Sequence, residues 1–181
     1  MKPDNWVLTA SNSAFDGCSE VIEGSELILV DFGRAVDLKA AAKPGIDPMD
    51  VRLEGSCAEK DMECVAMRKG ISWSFDVDTF GVCASAFVLL HGSHIEIKED
   101  STTERWKPHK PPRRYWQKDL WNEFFDKLLN LDEVSHSALG SHPVSLRALY
   151  KKMEDYVQAE STKLESLLKS QARMLPSVRI T

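Results

Sequence analysis

The sequence lacks any apolar run long enough to cross a membrane. Its longest such run, Cys83 to Leu90, falls far short of the roughly 20 residues that a spanning helix needs. The first residues also lack the charged and then apolar profile of a secretory signal peptide. These absences predict no membrane partner and favour a cytosolic or nuclear protein.

Cysteine is scarce, and its spacing argues against zinc. The four cysteines are Cys18, Cys57, Cys64 and Cys83. None forms a C-x-x-C pair or a Cys/His spacing typical of a zinc site. We therefore expect reduced thiols, as in a reducing compartment, and we place Cys83 in the core because its surroundings are apolar.

The sequence has no excess of positive charge. It contains 23 Lys and Arg against 28 Asp and Glu, which gives a net charge of −5 over 181 residues. A global polycation that would point to nucleic acid is therefore excluded. The length corresponds to one domain or a large part of one.

Two short apolar runs near the N-terminus predict a β-hairpin. Residues 6–9 and 27–30 are β-branched and apolar, with turn-forming residues between them. We expect the second run to be buried on both faces because all four of its residues are apolar. If the two strands pair antiparallel, Asn5 and Asp31 meet at the same end of the hairpin.

The residues at that end fit a magnesium and phosphate site. A carboxylate from Asp31 and a carboxamide oxygen from Asn5 are ligands that suit Mg²⁺, and Lys2 would supply a point charge for a phosphate. Gly33, directly after Phe32, permits backbone geometry closed to other residues. The alternative is two ordinary turns in which Asn5 and Asp31 cap local backbone.

The middle of the chain reads as a long loop followed by a buried helix. Residues 34–72 are loop-like, and loops of this length in compact domains are uncommon unless functional. Residues 73–90 are largely apolar and predict a core helix with a C-cap at Gly92. Asp76, near its start, either braces a neighbouring loop or caps its own helix.

Residues 105–118 carry six Lys and Arg, two Trp and one Tyr, with no acid. This pattern could bind phosphates or single-stranded nucleic acid. It could instead be an extended, solvated loop anchored by its aromatics, which we favour because the whole chain is negative. A protein-docking role lies between the two, so nucleic acid is not the expected partner.

Two helices are predicted after this segment. Lys118 to Leu131 has apolar residues at three- and four-residue steps, which indicates an amphipathic core helix. Leu146 to Leu175 reads as one long helix with Ser145 as its N-cap. That helix either forms a coiled-coil dimer or docks on the domain, which we favour.

The paired motifs resemble the active site of protein kinases. Lys2-Pro3-Asp4-Asn5 resembles the end of the K-P-x-N catalytic loop in its Ser/Thr form, and Asp31-Phe32-Gly33 resembles the D-F-G motif. The resemblance implies a kinase that uses ATP and Mg²⁺. It makes Asn5 and Asp31 the metal ligands and Lys2 a catalytic contact to the transferring phosphate. It also assigns Asn5, Asp31, Phe32 and Gly33 to cofactor binding, and residues 34–72 to an activation segment.

Three further strings are similar to one kinase family. They are Cys64-Val65-Ala66-Met67, Asp78-Thr79-Phe80-Gly81-Val82 and Trp121-Asn122-Glu123-Phe124-Phe125. Together they resemble the mitotic spindle-checkpoint Ser/Thr kinases of the "budding uninhibited by benzimidazole" family. By position, Asp76 fits kinases at large and Asp78 fits this family as the brace of the catalytic loop, so both stay candidates. Ala66 departs from the family, which often keeps Glu there, and the buried ion pair of that Glu cannot form.

The resemblance implies a mainly α, α+β overall, C-terminal kinase lobe with a short β-hairpin and a helical bundle. We expect residues 1–132 to be a partial kinase domain and residues 133–181 a helical extension. The catalytic Asp would stand two residues before Lys2, so we expect a fragment without the N-terminal lobe and without activity alone.

The family acts at kinetochores, on protein Ser and Thr. Expected partners are therefore protein substrates, with a histone tail implied, and kinetochore checkpoint proteins, in the nucleus, at kinetochores or in the cytosol. The alternative is a pseudokinase or checkpoint interaction module without catalysis.

Overall fold

The computed structural model describes residues 3–9, 26–33, 35–56, 62–131 and 144–174. These residues form two compact units. The first holds residues 3–5 and the described residues from 31 to 150, and the second holds those of 6–30 and of 151–174. The predicted boundary at 132/133 falls in the gap between 131 and 144, and it stays a prediction.

The predicted hairpin is present in the second unit. β1, Trp6–Thr9, pairs antiparallel with β2, Glu26–Leu29, in a register that sets Trp6 opposite Leu29. The prediction that residues 27–30 are buried on both faces is wrong, because Leu27 and Ile28 are 59% and 42% exposed. A two-stranded ribbon offers no neighbouring strands or covering layers to bury such side chains. Composition alone does not distinguish it from the centre of a larger sheet.

The core of the first unit is built around one helix. α3, Asp76–His91, buries Phe80, Cys83 and Phe87. The helix ends where predicted, since Gly92 takes the left-handed conformation with φ of 66° and its N–H bonds to Val88 O at 2.8 Å. Burial raises the pKa of the Cys83 thiol, as expected for a core cysteine.

The predicted amphipathic helix packs against α3. α4, Lys118–Leu129, ends two residues before the predicted boundary and buries Phe124, Phe125 and Leu129. The Phe125 ring lies 6.1 Å from that of Phe87 and meets it at 70°, an edge-to-face pair. Aromatic side chains therefore join the two helices at the centre of this unit.

The described residues between 35 and 75 are mostly irregular, as predicted, with three short helical turns. These are α1, Leu38–Ala41, a 3₁₀ turn at Pro48–Asp50, and α2, Val65–Arg68. Leu53 and Trp73 exchange backbone hydrogen bonds of 2.8 and 2.9 Å, and Trp73 Nε1 donates to Gly55 O at 3.0 Å. These bonds tie the segment to the residues that lead into α3.

A second small sheet was not predicted. β3, Ile97–Glu99, pairs antiparallel with β4, Trp106–Pro108, so part of the predicted extended loop is a strand. Asn130 holds this strand against the end of α4. Its Oδ1 accepts from Trp106 N at 2.6 Å, and its Nδ2 donates to Trp106 O at 2.9 Å and to Asp126 O at 2.8 Å.

The long C-terminal helix is two helices. α5, Val144–Ala159, begins before Ser145, so the predicted N-cap lies inside the helix. α6, Ser161–Met174, follows after an interruption at Glu160. Backbone bonds still reach across it, from Glu160 N to Tyr156 O and from Leu164 N to Glu160 O. The interruption is therefore confined to one turn residue, across which the backbone bonding continues.

Searched over its described residues, the chain shows no helix with both the length and the apolar content that a membrane crossing requires.

Candidate functional site

Asn5 and Asp31 come together, as the hairpin predicted. Asn5 ends a single 3₁₀ turn, Pro3–Asn5, which packs against α3. Its Nδ2 donates to the backbone carbonyl of Asp31 over 3.5 Å. This bond uses the amide nitrogen of Asn5 and the main chain of Asp31, so it leaves the Asn5 carboxamide oxygen available for a ligand.

The backbone at Asp31 is unusual. Its φ is 61°, in the left-handed region that few residues other than glycine adopt, although aspartate is among those that tolerate it. The carboxylate Oδ1 accepts from Gly33 N at 3.3 Å. A Cβ atom at position 33 would stand 3.2 Å from that oxygen. A side chain at position 33 would therefore crowd the Asp31 carboxylate, although Gly33 itself does not have a positive φ.

The free side-chain oxygens of Asn5 and Asp31 are suitable ligands for Mg²⁺. Asp31 Oδ2 and the Asn5 carboxamide oxygen have no hydrogen-bond partner among the described residues. Mg²⁺ is usually held by one or two protein oxygens, with phosphates and water completing six ligands. No cluster of three or more His, Cys, Asp or Glu residues occurs in the described parts of the chain, and a site of this kind does not need one.

Of the two remaining predicted site residues, Phe32 is described by the structure and Lys2 is not. Phe32 is 66% exposed, and its carbonyl accepts from Ala35 N at 2.9 Å in a tight turn. Lys2, the predicted phosphate contact, lies outside the described residues.

The two candidate braces have different surroundings. Asp76 Oδ2 accepts from Ser74 N at 3.0 Å, a local bond to the residues that lead into α3, and Asp76 has a further interaction as well. Asp78 is exposed, and its side chain has no hydrogen bond or ion pair among the described residues, while partial desolvation raises the pKa of its carboxyl. Both lie in the first turn of α3, the helix that packs on the Asn5 turn.

Ala66 lies in the wall of a separate cleft of about 950 Å³. Arg105 lines the same cleft and pairs with Asp126 through two bonds of 2.6 and 2.8 Å. A bidentate pair of this kind satisfies the guanidinium without a carboxylate at position 66. The Arg105–Asp126 pair had no signal in the sequence, because 21 residues separate its members.

In sequence, the chain is similar to mitotic checkpoint kinases. The chain is 33% identical over 174 residues, 92% of its length, to the mitotic checkpoint serine/threonine-protein kinase BUB1 of Arabidopsis thaliana. It is 31% identical over 117 residues, 65% of its length, to the spindle assembly checkpoint serine/threonine-protein kinase BUB1 of Saccharomyces cerevisiae. The chain spans 31% and 11% of the lengths of these two relatives. No family profile matches it.

Comparison with solved structures gives a kinase fold. The crystal structure of the BubR1 kinase domain superposes with a TM-score of 0.61 at 24% identity. The match covers 92% of this chain and 47% of the BubR1 chain. The expected fold class, a mainly α kinase-like lobe with short β-hairpins, is therefore confirmed. The sequence identities and this fold together show that the chain belongs to the BUB1 and BubR1 family of checkpoint kinase-like proteins.

Proposed function

We propose that the chain is the C-terminal part of the catalytic domain of a Ser/Thr protein kinase of the mitotic checkpoint. In the complete domain it would take part in phosphoryl transfer from ATP to protein Ser or Thr. The observation that carries this proposal is the meeting of Asn5 and Asp31 with two oxygen ligands unused. Such a pair is what a kinase needs to hold a metal ion against a nucleotide.

The roles of the site residues follow from their chemistry. Asp31 and Asn5 would hold Mg²⁺, which would supply positive charge to the nucleotide phosphates. Gly33 lets the Asp31 carboxylate approach the backbone, and its N–H fixes one of the two carboxylate oxygens. Lys2 contributes a positive charge to the transferring phosphate. Phe32 lies beside the site and contributes an apolar surface.

Partners and location follow from the family. The proposed substrates are proteins, among them a histone tail, and the proposed partners are checkpoint proteins of the kinetochore. We propose that the protein acts in the nucleus and at kinetochores during mitosis, with a cytosolic pool. The names of the relatives, which give mitotic and spindle assembly checkpoints, support the mitotic role.

The experiment is a transfer assay on the complete natural protein, with γ-labelled ATP, Mg²⁺ and a Ser/Thr protein substrate. Asp31→Asn keeps the size of the side chain and removes its charge. We expect it to lower the rate about a hundredfold or more, because a metal-held nucleotide loses its main anionic ligand.

Asp119→Asn is the matched control, since Asp119 is exposed and its side chain has no hydrogen bond or ion pair among the described residues. It should keep the parental rate. Equal rates for the parent and Asp31→Asn would contradict the proposed metal ligand.

A second candidate is an interaction module without catalysis. It is favoured by Ala66, where the family often has Glu. It is also favoured by the exposed basic residues of segment 105–118 that have no acidic partner among the described residues. In that case the complete protein would bind no Mg²⁺–nucleotide but would still capture checkpoint proteins. Nucleotide binding that is lost in Asp31→Asn would exclude this candidate.

A further inference from the structure

The basic segment 105–118 has two regions, which differ in whether their positive charges are paired with acidic residues. In the first, Arg105 pairs with Asp126, and Lys107 pairs with Asp100. In the second, Lys110, Arg113 and Arg114 have no acidic partner among the described residues, and we name these three the basic cluster. Positive charge in this segment is therefore concentrated in the second region.

The basic cluster lies on a rigid base. Pro108 and Pro112 are buried, so they fix the chain on either side of Lys110. The Trp116 ring lies 5.0 Å from that of His91, edge to face, and His91 stacks on Phe87 at 4.2 Å. The segment is thus anchored on the end of α3, and little ordering entropy is lost when a ligand binds it.

Two residues of the basic cluster, Lys110 and Arg113, also act electrostatically on the same imidazole, that of His91. Desolvation lowers the pKa of His91, and the charges of Lys110 and Arg113 lower it further. Arg113 lies 5.1 Å above the Trp116 ring and donates to Tyr115 Oη at 2.7 Å. Lys110 and Arg113 therefore both act on the His91 imidazole, and the Trp116 ring holds the Arg113 guanidinium in place.

We propose that the basic cluster, with the exposed ring of Tyr115, docks a carboxylate-rich peptide segment of a partner protein. Guanidinium groups pair with carboxylates through two bonds, and Tyr115, 71% exposed, offers an aromatic face to an apolar side chain of the peptide. The inference goes beyond the proposed phosphoryl transfer and does not depend on it.

A protein ligand fits this surface better than a single-stranded nucleic acid. Sequence-tolerant binding of single strands needs several open aromatic faces on which bases stack. Trp116 is covered by His91 and Arg113, and Trp106 is half-buried, so Tyr115 alone among the aromatics of the segment is well exposed. The net charge of −5 also opposes a long polyanion more than a short acidic peptide.

The test measures binding of a short, fluorescein-labelled peptide that contains several glutamates and one leucine. Lys110→Glu/Arg114→Glu reverses two charges and leaves the Arg113 contacts in place. We expect binding about tenfold weaker than in the parent, in line with the loss of two exposed charge pairs and the new repulsion. Circular dichroism and chemical unfolding verify that the variant is folded.

The matched control is Lys98→Glu/Arg147→Glu, which makes the same charge change at two other exposed positions of the first unit. It should bind like the parent. Binding of the parent should also weaken as salt rises from about 50 mM to about 200 mM, since exposed charges are screened.

Three results would overturn the proposal. The first is equal loss of binding in the two double variants, which would make the effect one of net charge. The second is equal binding of a peptide with glutamine in place of each glutamate. The third is tighter binding of a short oligothymidylate than of the acidic peptide, which would assign the surface to nucleic acid.

Discussion

Phe125, at the contact of α3 and α4, is 1% exposed, whereas Asp31 and Phe32 of the candidate site are exposed. The first region is joined by aromatic contacts: Phe125 meets Phe87, Phe124 and Trp121 with ring centroids 5.2 to 6.2 Å apart. The second is joined by two hydrogen bonds of 3.3 and 3.5 Å. Stability and ligand chemistry therefore depend on different residues.

The difference has a physical reason. Apolar side chains stabilise a fold in proportion to the area they remove from water, so a core gains from every contact. A metal site instead needs oxygen lone pairs that are not already used. Changes in the core should thus unfold the chain, while changes at the site should alter ligand binding alone.

The largest effect on stability should come from Phe125→Ala. The change removes a fully buried ring and leaves a cavity, which typically costs about 3–5 kcal/mol. Urea unfolding followed by circular dichroism measures it. Tyr115→Ala, at an exposed ring, is the control and should cost far less. A loss below about 1 kcal/mol for Phe125→Ala would contradict the described core.

A smaller loss is expected for Asn130→Ala. The change removes three hydrogen bonds and leaves the N–H and C=O of Trp106 without their partner. We expect a loss of about 2–3 kcal/mol in the free energy of unfolding. Asn122→Ala, at an exposed position within α4, is the control. Equal stabilities of the two variants would show that Asn130 does not fix the strand.

The smallest effect concerns Asp100. A hydrogen bond from Lys107, with further bonds from the N–H groups of Thr102 and Thr103, lowers the pKa of Asp100 to about 2 from its usual 3.8. A lowered folded-state pKa stabilises the fold above about pH 3.8, and this contribution is lost as the pH falls through about 2.

Asp100→Asn keeps an acceptor for the turn and removes the charge. At about pH 5 the free energy of unfolding should therefore be slightly larger for the parent than for the variant. This difference should disappear near pH 2. A difference that stays constant over this pH range would contradict the pairing of Asp100 with Lys107.

Local patterns predicted the elements whose own sequence decides their structure. The three- and four-residue spacing of apolar side chains predicted α4, and Gly92 predicted the end of α3. The two apolar runs predicted the hairpin, which in turn brought Asn5 to Asp31. The positive φ of Asp31 had no signal, because aspartate occurs in many turns with negative φ as well.

Other features depend on residues far apart in the chain. β4 contains a lysine and a proline between two loops, so its sequence resembles a loop. Asn130, whose side chain bonds to the backbone of this strand, lies 24 residues from Trp106. The exposure of Leu27 depends on how many strands the sheet has, which the strand itself does not encode. The interruption at Glu160 lies among helix-forming residues and has no local signal.

The central claim is that Asn5 and Asp31 form a site for a divalent cation. The most direct measurement is paramagnetic broadening of amide NMR signals by Mn²⁺, which accepts the same oxygen ligands as Mg²⁺. The account predicts that the Asn5 side-chain amide and the Gly33 N–H broaden first in the parent chain and in Asp119→Asn, and that Asp31→Asn abolishes the effect. Broadening that is the same in Asp31→Asn, or that begins at other acidic residues, would contradict it.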